Sequence, residues 1–350
     1  MAGHRNVIGL SIAVLLLIGL LATPASAAPN PGARRIIYVR SGDIYSVQAN
    51  GLNARRLTWT RNNAQPEWAP GSNKIVFIST RDGDQEIFTM NPDGSGSKQL
   101  THNRKTDNGP TWSPDGRTIA FERDFDFDRY GSGTPDSTGW ALWLMNPNGT
   151  NQRKVPLAGP VLGNFFEIIR ELVWSPSGDY IAGTGIEWTQ TQDFADYVFP
   201  ASGGLWVTAN FQGGLGVGFA SDGDVLGCGY DGLWKWSPTE LQTDGELLVP
   251  TIDSDDPGES EDYCHAPTMS GGLKFVAYLA EHYQANSTLR GKELASGIDI
   301  ALAEATGPDP YDWAPSGRLM VVATPAGIRV VAPDKSFTRL LPVKGTDPNW

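Results

Sequence analysis

The chain has 350 residues, of which 40% are apolar and 19% charged, with 41 glycines and 25 prolines. This composition excludes a disordered chain, and so many turn-forming residues argue against a mainly helical one. A formal net charge of −12 makes nucleic acid a poor partner, because an acidic surface repels a phosphate backbone.

In chain order, Arg5 precedes an apolar run, VIGLSIAVLLLIGLLA (7–22), and Ala25-Ser26-Ala27 fits a small-x-small cleavage pattern. Residues 1–27 read as a secretory signal peptide cut after Ala27, with an uncleaved N-terminal anchor as the alternative. Residues 28–35 read as a short linker. No later stretch is long and apolar enough to span a bilayer. The expectation is a secreted or periplasmic protein with no stable membrane insertion after cleavage. Without 1–27 the chain keeps 26 bases and all 39 acids, a net charge of −13.

From residue 65 onward one pattern returns. It reads QPEWAPGSNKIVFIST (65–80), GPTWSPDGRTIAFERD (109–124), ELVWSPSGDYIAGTGI (171–186) and PYDWAPSGRLMVVATP (310–325), with weaker copies at 216–231 and 266–281. The residues ending at the aromatic predict a short first strand. Ser-Pro-Asp-Gly is turn chemistry, and the alternation after it predicts a second strand. A third strand is read at 43–47, 86–90, 141–145, 204–208, 232–236 and 327–331. A fourth is read at 54–58, 97–101 and 152–157. The stretches 209–216 and 302–309 leave little room for one.

Four-stranded antiparallel units spaced 37 to 62 residues apart bury their faces by packing around an axis. The fold class is therefore all-β, a seven-bladed β-propeller over 36–350, with six blades as the alternative. Residues 36–58 supply three strands of a blade, and TDPNW (346–350) supplies the missing first strand. Pairing of that late strand with the early blade closes the ring. The 323 residues after Ala27 give about 46 per blade, within the usual blade length.

The pattern W-[SA]-P-x-G-x-x-[IL]-x-[FV], followed by [ED]-I-[YF], N-P-D-G and L-T, resembles the repeat of TolB-like propellers. The resemblance covers nearly all of 36–350 and implies the fold. It does not extend to an α/β domain before the propeller, for which 28–35 leaves no room. Dipeptidyl-peptidase-like enzymes carry similar repeats before a hydrolase domain, but G-x-S-x-G is absent here. Oligogalacturonate lyases are similar too, and they hold a metal with histidines.

Strand direction places the turns of the Ser-Pro-Asp-Gly type at one end of the propeller. The other end carries the insertions 122–139, 187–203 and 281–297 and the acidic link 251–263. Long loops on one face of a rigid scaffold are where binding usually sits. The candidates there are Phe125, Phe127, Tyr130, Trp188, Phe194, Tyr197 and Tyr283, with His265 and His282. Aromatic rings beside carboxylates suit sugars, peptides or a protein. Asp124-x-Asp126-x-Asp128 supplies three carboxylates in one short stretch and is the candidate calcium site, although Arg129 stands where an EF-type loop needs Gly. Cys228 and Cys264 fall at the insertion-bearing end of neighbouring blades and form the candidate disulfide. The functional expectation is a monomeric, non-enzymatic binding or protein-interaction module whose protein, peptide or glycan partner sits on the loop-rich face. The alternative is a carbohydrate-active lyase or hydrolase at the channel mouth.

Overall fold

The computed structural model describes residues 35–71, 73–127, 137–158, 168–186, 194–205, 207–209, 216–229, 232–239, 245–250, 263–269, 275–281, 287–306, 311–314, 316 and 318–350. Seven four-stranded sheets stand in a ring, each antiparallel throughout. Blade 1 is Asn63–Trp68, Ile75–Ser79, Glu86–Met90 and Lys98–Gln99. Blade 2 is Asp107–Trp112, Ile119–Phe127, Ser137–Met145 and Arg153–Lys154. Blade 3 is Ile168–Trp174, Tyr180–Ile186, Phe194–Pro200 and Val207–Ala209. Blade 4 is Val217–Phe219, Val225–Gly229, Gly232–Trp236 and Glu246–Pro250. Blade 5 is Tyr263–Met269, Phe275–Glu281, Thr288–Glu293 and Asp299–Glu304. Blade 6 is Tyr311–Trp313, Met320–Thr324, Gly327–Val331 and Thr338–Leu340. Among the described residues, no helix is long and apolar enough to cross a membrane.

Blade 7 is the clasp. Its first strand is Thr346–Asn349, and the other three are Arg35–Arg40, Asp43–Gln48 and Arg55–Arg56. Ile37 pairs with Asn349 and Val39 with Thr346, antiparallel. This is the closure that the sequence predicts.

Two readings need correction. The third strand of blade 3 is Phe194–Pro200, not 204–208. Gly204–Leu205 instead pairs in parallel with Leu157–Ala158, and Val207–Ala209 is the fourth strand. Thr288–Glu293 lies inside the stretch 281–297 read as an insertion, and Asp299–Glu304 supplies the fourth strand for which 302–309 reads as leaving little room. In both blades polar residues sit on the pleat and break the alternation that marks a strand.

Seven apolar clusters fill the spaces between blades. The cluster between blades 7 and 1, for example, joins Ile37, Ile44 and Leu57 to Trp68, Ile75 and Phe77. The repeat tryptophans anchor these seams, with Trp112, Trp174 and Trp350 each in a different one. The indole N–H of Trp68 reaches back to the Arg35 carbonyl at 2.9 Å, and that of Trp174 to Thr111 O at 3.3 Å.

The Ser-Pro-Asp-Gly turn closes on itself. Asp115 Oδ1 accepts from Ser113 Oγ at 2.6 Å and from Arg117 N at 3.0 Å. Gly116 takes φ +68°, a left-handed conformation that a side chain disfavours. The turn at 91–94 does a second job. A Cβ on Gly94 would lie 2.6 Å from Leu57 O, so glycine lets blade 1 seat against the last strand of blade 7.

Candidate functional site

The insertion-bearing end is built where second strands hand over to third strands and fourth strands to the next blade. Asn63 N donates to Gly42 O at 2.8 Å, which puts the turn of blade 7 and the link into blade 1 at the same end. Blade 2 carries the longest arms there. Ile119–Phe127 and Ser137–Met145 have nine residues each, against five in the matching strands of blade 1.

The predicted residues are dispersed over this end. Phe125 and Phe127 lie in the long arm of blade 2, opposite Gly139 and Ser137. Phe194 opens the third strand of blade 3, opposite Ile186. Tyr197 is a correction, because it is fully buried between blades 2 and 3 and stacks on Phe199 at 6.0 Å. Its ring fills a seam and presents no face to a ligand. His265 lies on the first strand of blade 5, opposite Leu279. Tyr130, Trp188, His282, Tyr283 and Asp128 lie outside the described residues.

Asp124 and Asp126 stand two apart on one strand, opposite Trp140 and Thr138. Asp124 Oδ1 accepts from Thr106 N at 2.8 Å, so one oxygen is already in structural use. Among the described residues, no group of three His, Cys, Asp or Glu is placed to hold a metal ion.

Polar stitches across the seams are the main electrostatic feature of this end. Between blades 7 and 1, the buried Asp43 receives Thr58 Oγ1 at 3.0 Å, Arg61 N at 3.1 Å and Asn63 Nδ2 at 3.4 Å, with the Arg56 guanidinium on its other oxygen. Burial alone would raise its pKa, but these donors hold it below the ordinary value. Within blade 2, Arg123 grips Asp107 with two bonds of 2.6 and 2.8 Å, at the seam against blade 1. Asn103 bridges Asp107 and Glu86. Glu86 is pushed up to about 7, first by burial and further by Asp107 beside it. At neutral pH the Glu86 carboxyl is therefore only partly ionised.

Cys264 holds, on the first strand of blade 5, the register position of Asn63 and Asp107, each opposite the fifth residue of the second-strand core. Cys228 is fully buried and disulfide-bonded. It lies on the second strand of blade 4, in the seam against blade 5.

Asp196 is the anomaly. It is fully buried and stands opposite Thr184. By register the other six blades place Ile44, Ile87, Leu142, Leu233, Leu289 and Ile328 there. Its Oδ1 accepts from Thr184 Oγ1 at 2.7 Å, and Gly216 N–H also donates to the carboxylate. Oδ2 has no partner among the described residues. Burial pushes its pKa up to about 7 against those two donors.

The sequence reading missed Trp59. It lies in the link between blades 7 and 1 and is 66% exposed. Its signal was available, since it follows Leu-Thr where blade 1 has His102.

The architecture is that of a closed propeller with one end devoted to short turns and the other to long connections. Residues 26–159 and 58–185 match the family described as TolB beta propeller domain, a little under half of the chain. A curated relative, the Tol-Pal system protein TolB of Rhizorhabdus wittichii, is 45% identical over 74 residues, which is 21% of this chain and 15% of that protein. The alignment thus spans well under a quarter of that relative. Among solved structures, TolB from Acinetobacter baumannii covers 92% of this chain and 67% of its own at 15% identity, with a TM-score of 0.58. An oligogalacturonate lyase in complex with manganese covers 87% of this chain and 82% of its own at 14% identity, with a TM-score of 0.56. At these identities the structural likeness shows the fold alone.

Proposed function

We propose that the protein works outside the cytoplasm as a non-enzymatic binding module, with a protein, peptide or glycan partner on the loop-rich end. The observation that carries this is the asymmetry of the scaffold. The connections containing 128–136, 187–193, 251–262 and 282–286 all join strand ends at one end of the ring. At the other end the first-to-second turns of the clear repeats close within a few residues, as at 113–118 and 175–180. A rigid ring that gathers several long connections at one end is suited to presenting that end to a partner. The described carboxyl pair, Glu86 and Asp107, is buried and engaged across a seam, which favours binding over hydrolysis there.

The test is a shortened protein in which 128–136 is replaced by Asn-Gly. It should keep its melting midpoint and lose cross-linking to its extracytoplasmic partner. Turnover of a polysaccharide by the intact protein would establish the enzymatic alternative instead. Calcium added to the same melting assay raises the midpoint if Asp124, Asp126 and Asp128 hold the ion, by mass action on the folded state. Exported protein whose first residue is Ala28 would place the cut after Ala27.

A further inference from the structure

Among the described residues, Trp59 is the one large aromatic side chain that is mostly exposed at the loop-rich end. The Arg56 guanidinium lies 5.9 Å from its ring centroid and is anchored on Asp43. On the other side of the link, Arg81 donates to Asn63 Oδ1 at 2.9 Å and to Ser79 Oγ at 3.0 Å, and lies 4.1 Å over the Phe88 ring. Asn63 ties this side back to the link by donating to Thr60 Oγ1 at 2.9 Å. Arg40, paired opposite Asp43, and Arg61, whose backbone N–H donates to Asp43 Oδ1, are both exposed. Neither has an ion pair among the described residues. The closest exposed acid in sequence, Asp82, accepts from Gln99 Nε2 and offsets part of the charge of Arg81, which leaves Arg40, Arg56 and Arg61 as the excess.

The charge of the chain is divided in the same way. Residues 35–107, the early part of blade 7 together with blade 1, hold ten Lys or Arg against seven Asp or Glu, a balance of +3. Residues 108–350 hold fifteen against thirty-two, a balance of −17. The four arginines gathered about Asp43, Asn63 and the link that carries Trp59 therefore form a basic sector on an acidic ring.

We propose that Trp59 with Arg40, Arg56, Arg61 and Arg81 is the docking point for a short acidic segment of a partner protein. This rests on the reading of the loop-rich end as a binding surface. Guanidinium groups pair with carboxylates through two parallel hydrogen bonds, and two of these four are already oriented by their own partners. An exposed indole adds apolar contact at the centre of the patch, the usual composition of an interface anchor. A long polyanion, whether nucleic acid or a polyuronate, must leave the patch and run over the acidic blades, where like charge repels it. A protein segment carries its acids locally and can offer bases to the rest of the ring.

The probe is a fluorescein-labelled hexaglutamate peptide, read by anisotropy at low ionic strength. Wild type binds it, and raising the salt to physiological strength weakens binding, as expected for exposed charges. The variant R40E/R61E reverses two unpaired exposed charges and should weaken binding about tenfold or more, through loss of local steering and pairing. R318E/K335E makes the same change in net charge at the opposite end of blade 6 and should leave binding within about twofold. Trp59→Ala should weaken it about threefold or more, within the range for an interface aromatic. Each variant is first shown to melt at the wild-type midpoint. No binding by wild type, or equal weakening in the two charge-reversal variants, overturns the proposal. So does tighter binding of long polygalacturonate or single-stranded DNA than of the peptide. Shortening 128–136 should not alter peptide binding. If that variant loses its cross-linked partner while wild type never binds the peptide, the basic sector fails and the broader reading of the face survives.

Discussion

Asp196 shows how one residue can hide a strand and set a pH dependence. It occupies a core position that six other blades fill with Ile or Leu, so FADYVFP lacks a continuous apolar face. Its folded pKa of about 7 lies above the ordinary 3.8. The folded state therefore prefers the protonated acid. The stability this contributes is fully present below about pH 4 and is lost as pH rises through 7. Asp196→Asn keeps an oxygen for Thr184 and Gly216 and cannot ionise. It should raise unfolding free energy at pH 8 by on the order of 1–3 kcal/mol and leave it nearly unchanged at pH 4. Urea titrations at the two pH values check this, and an equal effect at both would refute it. Glu86→Gln follows the same logic, since Glu86 is also raised to about 7, and its amide can still donate to Asp107.

At the scale of elements, the strands legible in the sequence were those with local chemistry. Trp112, the Ser113–Gly116 turn and Ile119/Phe121 each declare themselves, because turn residues and period-2 burial act within a few positions. The blade 5 strand TLRGKE (288–293) did not, because its inclusion depends on pairing with Phe275–Glu281 and Asp299–Glu304, which local propensity does not record. The site was less legible than the fold. Burial of Tyr197 and exposure of Trp59 both depend on which neighbour covers the ring. The equivalence of Cys264 with Asn63 and Asp107 likewise needs register, not composition. It suggests that a covalent link can hold the seam between blades 4 and 5 where polar groups hold two others. Peptide mapping without reductant should recover a Cys228–Cys264 bridged pair. Reduction should cost at most about 4 kcal/mol, the chain-entropy value for a loop of this length, and an unchanged midpoint on reduction would argue against a structural role.

At the scale of the molecule, seam and clasp determine the response to conditions. Asp312 accepts from Trp350 N at 2.8 Å and from Trp313 N, and burial raises it to about 6. With Glu86 and Asp196 it makes three carboxyls whose ionisation opposes folding. Stability should therefore peak at mildly acidic pH and fall between about pH 5 and 8, on a ring whose excess acid adds self-repulsion as it ionises. Removing 346–350 should be far more damaging than any single change. It strips Trp350 from the seam between blades 6 and 7 and Asn349 Oδ1 from Trp68 N, a 2.9 Å bond. Loss of the indole alone removes about 3–5 kcal/mol. A thermal melt of the truncated protein should show a midpoint many degrees lower or no cooperative transition. The clasp also imposes a schedule on synthesis. Residues 35–56 are made before 346–349 and wait for them before their sheet has its fourth member. During that interval the Arg35–Arg40 strand presents bare N–H and C=O groups to any passing chain. A ring so arranged closes only after 346–349 have been delivered, which makes the waiting edge a natural place for a chaperone to hold.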